Sequence, residues 1–364
     1  MYNFNNFFLN KKVLITGHTG FKGSWLCLWL FLAGAKVIGV SKDLPTKPSH
    51  FDKLKLNRKI IDKRLDIRNL KKIKAVFNKY KPDFFFHLAA QSLVKKSYQD
   101  PIETFTSNSI GTLNVLECLR VIKNKCISVI ITSDKSYKNL EIKRGYHEND
   151  ILGGIDPYSS SKASAEMIIN SYVKCYLQSN TRQSIAIARA GNVVGGADWS
   201  QNRLIPDCMK AWSKNKEAII RNPSSTRPWQ HVLEALYGYL LLAQNLKKNK
   251  KINGEAFNFG PRYSQDKSVH SFLLEMRKNW KNTKWKVKKS NKNVYESKLL
   301  KLNSFKAEKK LDWKPILNFK QTVKMVTEWY KIFFEGKTST FDISKKQIEF
   351  YSLKILKVKK KLKK

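Results

Sequence analysis

The sequence predicts an α/β fold, in which a doubly wound parallel sheet is joined to a smaller mixed C-terminal lobe. Short apolar runs alternate with segments of helical length through the first half of the chain, which is the pattern of βαβ units. The runs are continuously apolar rather than alternating, as expected for strands that are covered on both faces. After Gly191 the chain becomes richer in Trp, Pro and irregular spacing, which favours a second lobe.

The individual elements follow from the same periodicities. Predicted strands cover residues 12–16, 36–40, 59–65, 83–89, 127–133 and 184–189. Predicted helices cover residues 24–33, 70–80, 108–122, 158–178 and 232–246. Residues 1–190 are therefore expected to form the sheet domain and 191–335 mainly the second lobe, with segments near 230–260 returning to the sheet. Residues 336–364 are predicted as a basic C-terminal tail with a solvated end.

The charge of the chain limits its partners without deciding them. The 364 residues carry a formal charge of +42, with 58 Lys and only 12 Arg spread along the whole length. Proteins that read nucleic acid rely on Arg and cluster their charge, so a general lysine-rich bias is the favoured interpretation. The positive charge could alternatively attract an anionic substrate or contact nucleic acid. Contact with nucleic acid is not expected.

Location and metal content are predicted from what the sequence lacks. The first twelve residues do not follow the pattern of a signal peptide, and the nearly uncharged stretch 23–35 is shorter than a membrane span. Five scattered cysteines without a CxxC pair indicate reduced thiols. A cytoplasmic protein without a membrane partner is expected, and no spacing of His or Cys predicts a metal site.

A glycine loop follows the first predicted strand and opens the first helix. Gly17, Gly20 and Gly23 form a GxxGxxG pattern, which lets the backbone turn tightly and approach a pyrophosphate at the helix N-terminus. The position between strand and helix predicts a Rossmann-like dinucleotide site. The acid expected at the end of the second strand is missing, with Asp43 slightly late and Lys42 able to favour a 2′-phosphate. NAD is predicted as the cofactor, while NADP stays open at this position.

Two further groups of side chains carry chemistry. Tyr158 and Lys162 form a YxxxK pattern, which places a phenol and an amine one helical turn apart. A nearby ammonium is expected to lower the pKa of Tyr158, so that the phenol acts as a base. Ser133, Asp134 and Lys135 end a buried strand, where a hydroxyl, a carboxylate and an amine stand side by side.

The chain resembles the extended short-chain dehydrogenase/reductases and, among them, the nucleotide-sugar 4,6-dehydratases. The resemblance rests on eight segments that span most of residues 11–235: TGHTGFKGSW (16–25), HLAAQSLV (87–94), NSIGTLNVLE (108–117), TSDKSY (132–137), YSSSK (158–162), ARAGNVVGGADW (188–199), RLIPD (203–207) and RPWQHV (227–232). The chain departs from relatives that carry RDW, because it has Arg227-Pro228-Trp229. The residues expected to contact the cofactor are Gly17, Thr19, Gly20, Phe21, Lys22, Gly23, Asp66, Ile67, Leu88, Ala89, Ala90, Ser107, Tyr158 and Lys162.

The resemblance implies a reaction in three steps. Tyr158 takes the proton of the sugar 4-hydroxyl while hydride passes from C4 to NAD; a base then removes the C5 proton as an acid protonates the departing 6-hydroxyl, and hydride returns to C6. By the resemblance Ser133 hydrogen-bonds the 4-oxygen and Asp134 is the acid. Lys135 stands where relatives keep a glutamate base. A lysine base requires a pKa well below about 10, and Asp134 must hold a proton when it acts.

The expected substrate is a nucleotide sugar, with CDP-glucose first, for synthesis of deoxysugars and surface polysaccharides such as lipopolysaccharide. Dehydration or 4-epimerisation of dTDP-glucose, GDP-mannose or UDP-glucose stays open, as does a non-catalytic dinucleotide-binding module that contacts nucleic acid. Epimerases need no acid and base for dehydration, so Asp134 and Lys135 favour a dehydratase. A homodimer or homotetramer is expected through helices 108–122 and 158–178. The residues expected to contact the substrate are Asn192, Arg203, Arg227 and His231.

Overall fold

A seven-stranded, wholly parallel sheet forms the centre of the protein and confirms the predicted α/β class. The computed structural model describes residues 4, 6–178, 182–262, 266–288 and 299–361. The strand order is β11-β6-β5-β4-β1-β2-β3. These strands are β1 Lys12–Thr16, β2 Lys36–Ser41, β3 Ile61–Arg64, β4 Phe84–His87, β5 Cys126–Ile131, β6 Gln183–Ala190 and β11 Ala256–Phe259.

Helices cover both faces of the sheet, as the continuously apolar strands predict. Val13 and Ile15 of β1 pack into one buried cluster and Leu14 into the other, because successive side chains of a strand point to opposite faces. The helices are α1 Phe21–Leu32, α2 His50–Lys53, α3 Leu70–Tyr80, α4 Val94–Gln99, α5 Pro101–Phe105, α6 Gly111–Val121, α7 Pro157–Tyr172, α8 Leu204–Trp212, α9 Val232–Lys248, α10 Val269–Arg277, α11 Phe305–Leu311, α12 Phe319–Glu335 and α13 Thr340–Lys361. Helices α1, α9, α12 and α13 lie with the first cluster, and α3, α6 and α7 with the second.

The chain beyond β6 builds small two-stranded sheets around the C-terminal end of the large one. They pair β7 Val193–Val194 with β10 Gln230–His231, β8 Ala218–Ile220 with β13 Trp285–Val287, and β9 Thr226–Pro228 with β12 Asp266–Ser268. Strand β11 then returns to the large sheet beside β6. None of the described helices combines the length and the hydropathy that crossing a membrane requires.

Two of the predicted helices contain a π-helical segment. The helix predicted from residue 108 is preceded by a π-helical segment, Thr106–Ile110, before α6 begins at Gly111. The helix predicted over 158–178 consists of α7 and a second π-helical segment, Val173–Leu177. Helix α7 begins sharply because the Asp156 side chain accepts hydrogen bonds from the Tyr158 and Ser159 backbone N–H groups in a capping box.

The segment predicted as a basic C-terminal tail, residues 336–364, contains a long helix, and its end at residues 354–364, which was expected to be solvated, includes the buried Ile355. Residues 340–361 form α13, and one face of it is buried against the core through Ile343, Ile348, Tyr351 and Ile355. The Tyr351 hydroxyl donates to Oε2 of the buried Glu234 at 3.0 Å. The high lysine content concealed an apolar face, because lysines lie between the apolar residues along the helix.

We expect the Tyr351→Ala substitution to lower the free energy of unfolding by about 3–5 kcal/mol, the range for truncating a large buried aromatic side chain. Tyr351 is fully buried and packs against the rings of Trp29 and Tyr237. Denaturant unfolding measures the change, and Leu353→Ala is the matched control because Leu353 of the same helix is 50% exposed. Equal effects of the two substitutions would contradict the docking of α13.

Candidate active site

The predicted site residues meet where four neighbouring strands end. Strands β1, β4, β5 and β6 are adjacent and parallel, so the loops that follow them emerge at one edge of the sheet. The chain passes from β1 to β2 on one side, while β4 lies on the other side of β1. This reversal of strand order is the topological switch point at which open α/β sheets bind their ligands.

The glycine loop has the shape of a cradle that larger residues would fill. Gly17 has φ +76°, and a Cβ there would lie 2.6 Å from the backbone N of Ala89. A Cβ on Gly23 would collide with the carbonyl oxygen of Gly17. Helix α1 starts after Gly20, with no side chain capping it and no acidic residue in its first turn. The backbone N–H groups of this turn thus suit a pyrophosphate.

Side chains at the far end of the dinucleotide site are already paired. The Lys42 ammonium forms ion pairs with Glu103 and with Asp43. Asp66 forms an ion pair with Arg68 at 2.6 Å. Loop residue Ile67 is buried. Leu88, Ala89, Ala90 and Ser107 are half-buried around the same cleft, next to the glycine loop or to the π-helical segment.

The catalytic candidates after β5 form one tight turn. Ser133 is the N-cap of the turn Asp134–Ser136 and accepts a hydrogen bond from the Lys135 backbone N–H at 3.2 Å. Its hydroxyl donates to Oδ1 of Asp134 at 2.9 Å. The Ser133 hydroxyl also hydrogen-bonds the phenol of Tyr158, which α7 brings to this loop. The structure thus brings the strand-end residues and the YxxxK pattern together.

The expected direction of the pKa shift of Tyr158 is wrong. Burial raises the pKa of Tyr158 to about 12, although the Ser133 hydrogen bond and the Arg203 charge act in the lowering direction. Burial likewise lowers the pKa of Lys162 to about 8, against the effect of Glu166. Because both groups are desolvated, the charged form of each is penalised.

Asp134 has the environment of an acid. The residue is buried, and a Cβ on Gly191 would lie 2.9 Å from its Oδ2, so the next strand end closes over it. Burial raises the pKa of Asp134, and the charges of Lys135 and Lys22 oppose this rise. A raised pKa favours the protonated carboxyl that can donate a proton. Lys135 lies half-buried beside it at the rim of the loop.

Lys22 reaches the catalytic group from the glycine loop. The sequence predicted it only as a cofactor contact, but its Nζ donates to the Tyr239 hydroxyl at 3.4 Å. Burial lowers the pKa of Lys22 to about 8, and the charges of Arg203, Asp134 and Lys162 act on it in turn. Its position among 58 lysines carried no signal; only the fold shows that this one points inward.

The predicted substrate residues divide into two groups. Arg203 pairs with Asp198 at 2.9 Å, and its charge acts on Tyr158, so it belongs to the catalytic cluster. His231 is buried and caps α9, where Nδ1 accepts from the Leu233 N–H at 3.3 Å. Asn192 is exposed and its carbonyl accepts from the Gln230 N–H, while Arg227 is half-buried on β9. No described contact joins these last three side chains to Tyr158.

Comparison with known proteins assigns the chain to a family. The family model described as GDP-mannose 4,6 dehydratase matches residues 14–326. The CDP-glucose 4,6-dehydratase of Salmonella typhimurium is 41% identical over 351 residues, which are 95% of this chain and 97% of that protein. The CDP-paratose 2-epimerase of Salmonella typhi is 27% identical over 87% of this chain and 98% of its own length.

Solved structures share the fold. An epimerase from Methanothermobacter thermautotrophicus has a TM-score of 0.78 at 24% identity and covers 91% of this chain and 95% of its own. A dTDP-glucose 4,6-dehydratase from Bacillus anthracis, solved in complex with NAD, has a TM-score of 0.74 at 21% identity and covers 89% of this chain and 98% of its own. On the sequence match over most of its length, the chain belongs to the GDP-mannose 4,6-dehydratase family of nucleotide-sugar enzymes.

Proposed function

We propose that the protein is an NAD-dependent hydro-lyase that converts CDP-glucose to CDP-4-keto-6-deoxyglucose. The observation that carries this proposal is the buried Asp134, held next to Tyr158 by Ser133. An enzyme that only oxidises and reduces C4 has no use for a protonated carboxyl beside the phenol. The 41% identity to a CDP-glucose 4,6-dehydratase supports CDP-glucose as the substrate.

The glycine cradle fits NAD. Gly17, Gly20 and Gly23 would hold its pyrophosphate, with Thr19, Phe21, Leu88, Ala89, Ala90 and Ser107 around the cleft. When bound, NAD would take up hydride from C4 of the sugar and return it to C6, while a proton returns to C5. The ion pair between Lys42 and Glu103 supports NAD over NADP, because it already neutralises the lysine that would attract a 2′-phosphate.

Tyr158 and Lys162 would carry out the proton transfer at the 4-hydroxyl. A phenol whose pKa is raised by burial holds its proton until a partner stabilises the phenolate. The hydrogen bond between the Ser133 hydroxyl and the phenol, and the positive charge of the Arg203 guanidinium, both act to lower the pKa of Tyr158. Lys162, with a pKa of about 8, can hold or release a proton near neutral pH.

Asp134 and Lys135 would perform the elimination. Lys135 would accept the C5 proton, and the C5–H electrons would form the C5–C6 double bond. The C6–O bond breaks as Asp134 delivers its proton to the departing hydroxyl, which leaves as water. The raised pKa of Asp134 supports this direction of proton transfer. Arg203, Arg227, Asn192 and His231 stay our candidates for holding the substrate, with the guanidinium groups suited to its diphosphate.

Substrate identity is tested by incubating the purified protein with CDP-glucose, dTDP-glucose, UDP-glucose and GDP-mannose. We expect a 4-keto-6-deoxy product from CDP-glucose, identified by mass and by its carbonyl absorbance in base. A C4 epimer without loss of water would instead identify an epimerase, and a product from another nucleotide sugar alone would reassign the substrate.

We also propose that the protein is a homo-oligomer in the cytoplasm. Helices α5 to α7 and the π-helical segment between them expose Ile102, Phe105, Ile110 and Met167, an apolar surface of the kind that subunit interfaces cover. All five cysteines are free, which supports a reducing compartment.

The Met167→Glu substitution is expected to convert the oligomer to a monomer, because Met167 is 65% exposed and a charge at the centre of an apolar interface is costly. Size-exclusion chromatography with light scattering measures the mass. Ile219→Glu, on the 55% exposed Ile219 of β8 in the second lobe, is the control. A wild-type monomer, or equal behaviour of both variants, would overturn this interface.

A further inference from the structure

A buried ion pair lies directly beneath the catalytic turn. Glu166 is on α7, one helical turn beyond Lys162 and two beyond Tyr158. Its carboxylate pairs with the guanidinium of Arg189, near the end of β6, through both Nε and Nη2. The two side chains are 0% and 3% exposed. None of the steps assigned above uses either residue.

The pair binds the catalytic turn on both sides of its three functional residues. The Thr132 hydroxyl donates to Oε1 of Glu166 at 2.6 Å, and the Ser136 hydroxyl donates to the same oxygen at 2.9 Å. Arg189 donates from Nη1 to the Tyr137 hydroxyl at 2.6 Å. The residues immediately before and after Ser133–Lys135 are therefore tied to one carboxylate.

The same network ends in rigid parts of the fold. The Nη1 atom of Arg189 also donates to the carbonyl oxygen of Glu148 at 3.0 Å. The Tyr137 hydroxyl donates to Oδ1 of Asn258, a buried residue of β11, at 2.9 Å. The turn after β5 is thereby fastened to a helix and to the two strands on its far side, β6 and β11.

We propose that Glu166 and Arg189 are positioning residues that hold Asp134 and Lys135 in register with Tyr158 and Lys162. The proposal rests on the dehydratase function above and assigns a cause to its geometry. Oxidation at C4 uses Ser133 of the turn and residues of α7, whereas elimination also needs Asp134 and Lys135 of the turn at a fixed separation from the helix. Since Glu166 lies on the helix and receives hydroxyls from the turn, it sets that separation.

Stability alone does not account for the pair. A buried ion pair contributes little net stability compared with apolar side chains of similar size, because both charges lose their hydration. Here Oε1 accepts hydrogen bonds from two hydroxyls of the turn as well as from Arg189. These contacts connect the turn and α7, the two elements that carry the proposed catalytic groups. Such an arrangement is expected of residues that hold catalytic groups in position.

Two conservative substitutions test the proposal without removing a charge. Thr132→Val and Ser136→Ala each remove one hydroxyl that reaches Glu166 and leave the ion pair intact. We expect each to slow formation of the 4-keto-6-deoxy product from CDP-glucose by about 10–100-fold, since a misplacement near 1 Å costs up to about 100-fold. The KM is expected to change little. Reduced nicotinamide should accumulate in the near-ultraviolet spectrum, because oxidation continues while elimination lags.

The matched control is Thr327→Val, which removes a buried threonine hydroxyl from α12, where it bonds only the carbonyl oxygen of Val323 in its own helix. A second measurement does not depend on turnover: hydrogen–deuterium exchange of peptides covering residues 132–137. We expect this exchange to be about 10-fold faster in the two turn variants than in the wild type or the control.

The outcomes separate the two proposals. Unchanged hydrogen–deuterium exchange in both turn variants would contradict the positioning role. A loss of the rate of product formation that merely follows a lowered melting temperature, as in Thr327→Val, would contradict it as well. If the wild type formed no 4-keto product from any of the nucleotide sugars, the proposed function would be wrong. The exchange data would still decide whether Glu166 orders the turn. The double variant Glu166→Met/Arg189→Met, which removes both charges together, should fold and yet reproduce the faster exchange.

Discussion

Asp134→Asn is expected to lower the rate of product formation from CDP-glucose by about 10²–10⁴-fold, the usual contribution of general acid–base catalysis. Asparagine keeps the size of the side chain and can still accept the 2.9 Å hydrogen bond from Ser133. It has no acidic proton to give to the departing 6-hydroxyl. Substrate binding and oxidation at C4 do not use that proton, so they should persist.

The signature of this variant is reduced nicotinamide without product. Absorbance of the reduced cofactor after mixing with CDP-glucose measures oxidation, and chromatography measures the 6-deoxy sugar. Asp83→Asn serves as the control, because Asp83 accepts from the Lys12 N–H at 2.9 Å at the opposite edge of the sheet. If Asp134→Asn formed product at the wild-type rate, the acid would have to be another group.

Tyr158→Phe is expected to cost a similar factor of about 10²–10⁴ and to abolish both signals. The phenol is the group proposed to take the 4-hydroxyl proton, and phenylalanine preserves its packing against the loop. Without that base the sugar is not oxidised, so neither reduced nicotinamide nor product should appear.

The two variants together therefore order the reaction. Tyr172→Phe is the matched control for Tyr158→Phe, since Tyr172 ends the same helix and its hydroxyl donates only a long hydrogen bond, 3.4 Å, to Glu117. Accumulation of reduced nicotinamide in Tyr158→Phe would contradict the assignment of the phenol as the base. Normal turnover by Tyr172→Phe would show that loss of a phenol from α7 is not harmful in itself.

Local patterns predicted much of the site because their geometry is local. The spacing of Gly17, Gly20 and Gly23 is set by a single turn between β1 and α1, and Tyr158 and Lys162 are one turn apart on α7. Continuously apolar strands predicted a sheet covered on both faces, and the two buried clusters confirm it. Such features depend on residues that are neighbours in the chain, so a single sequence is enough to predict them.

Two predictions failed for the same physical reason. The pKa of Tyr158 was expected to fall, but burial raises it to about 12. The lysine-rich end at residues 354–364 was expected to be solvated, yet Ile355 of α13 is buried. Burial depends on which distant segments pack over a residue, and the order of residues along one segment does not contain that information.

The sequence by itself determined the class of sheet, the dinucleotide loop and the candidate catalytic residues, since each is written in spacings of a few residues. Only the tertiary structure decided that Lys22 donates to Tyr239, that Glu166 and Arg189 fasten the catalytic turn, and that α13 packs on the core. These contacts join residues far apart in the chain, and their energies arise from desolvation and hydrogen bonding that exist only once the elements have packed together.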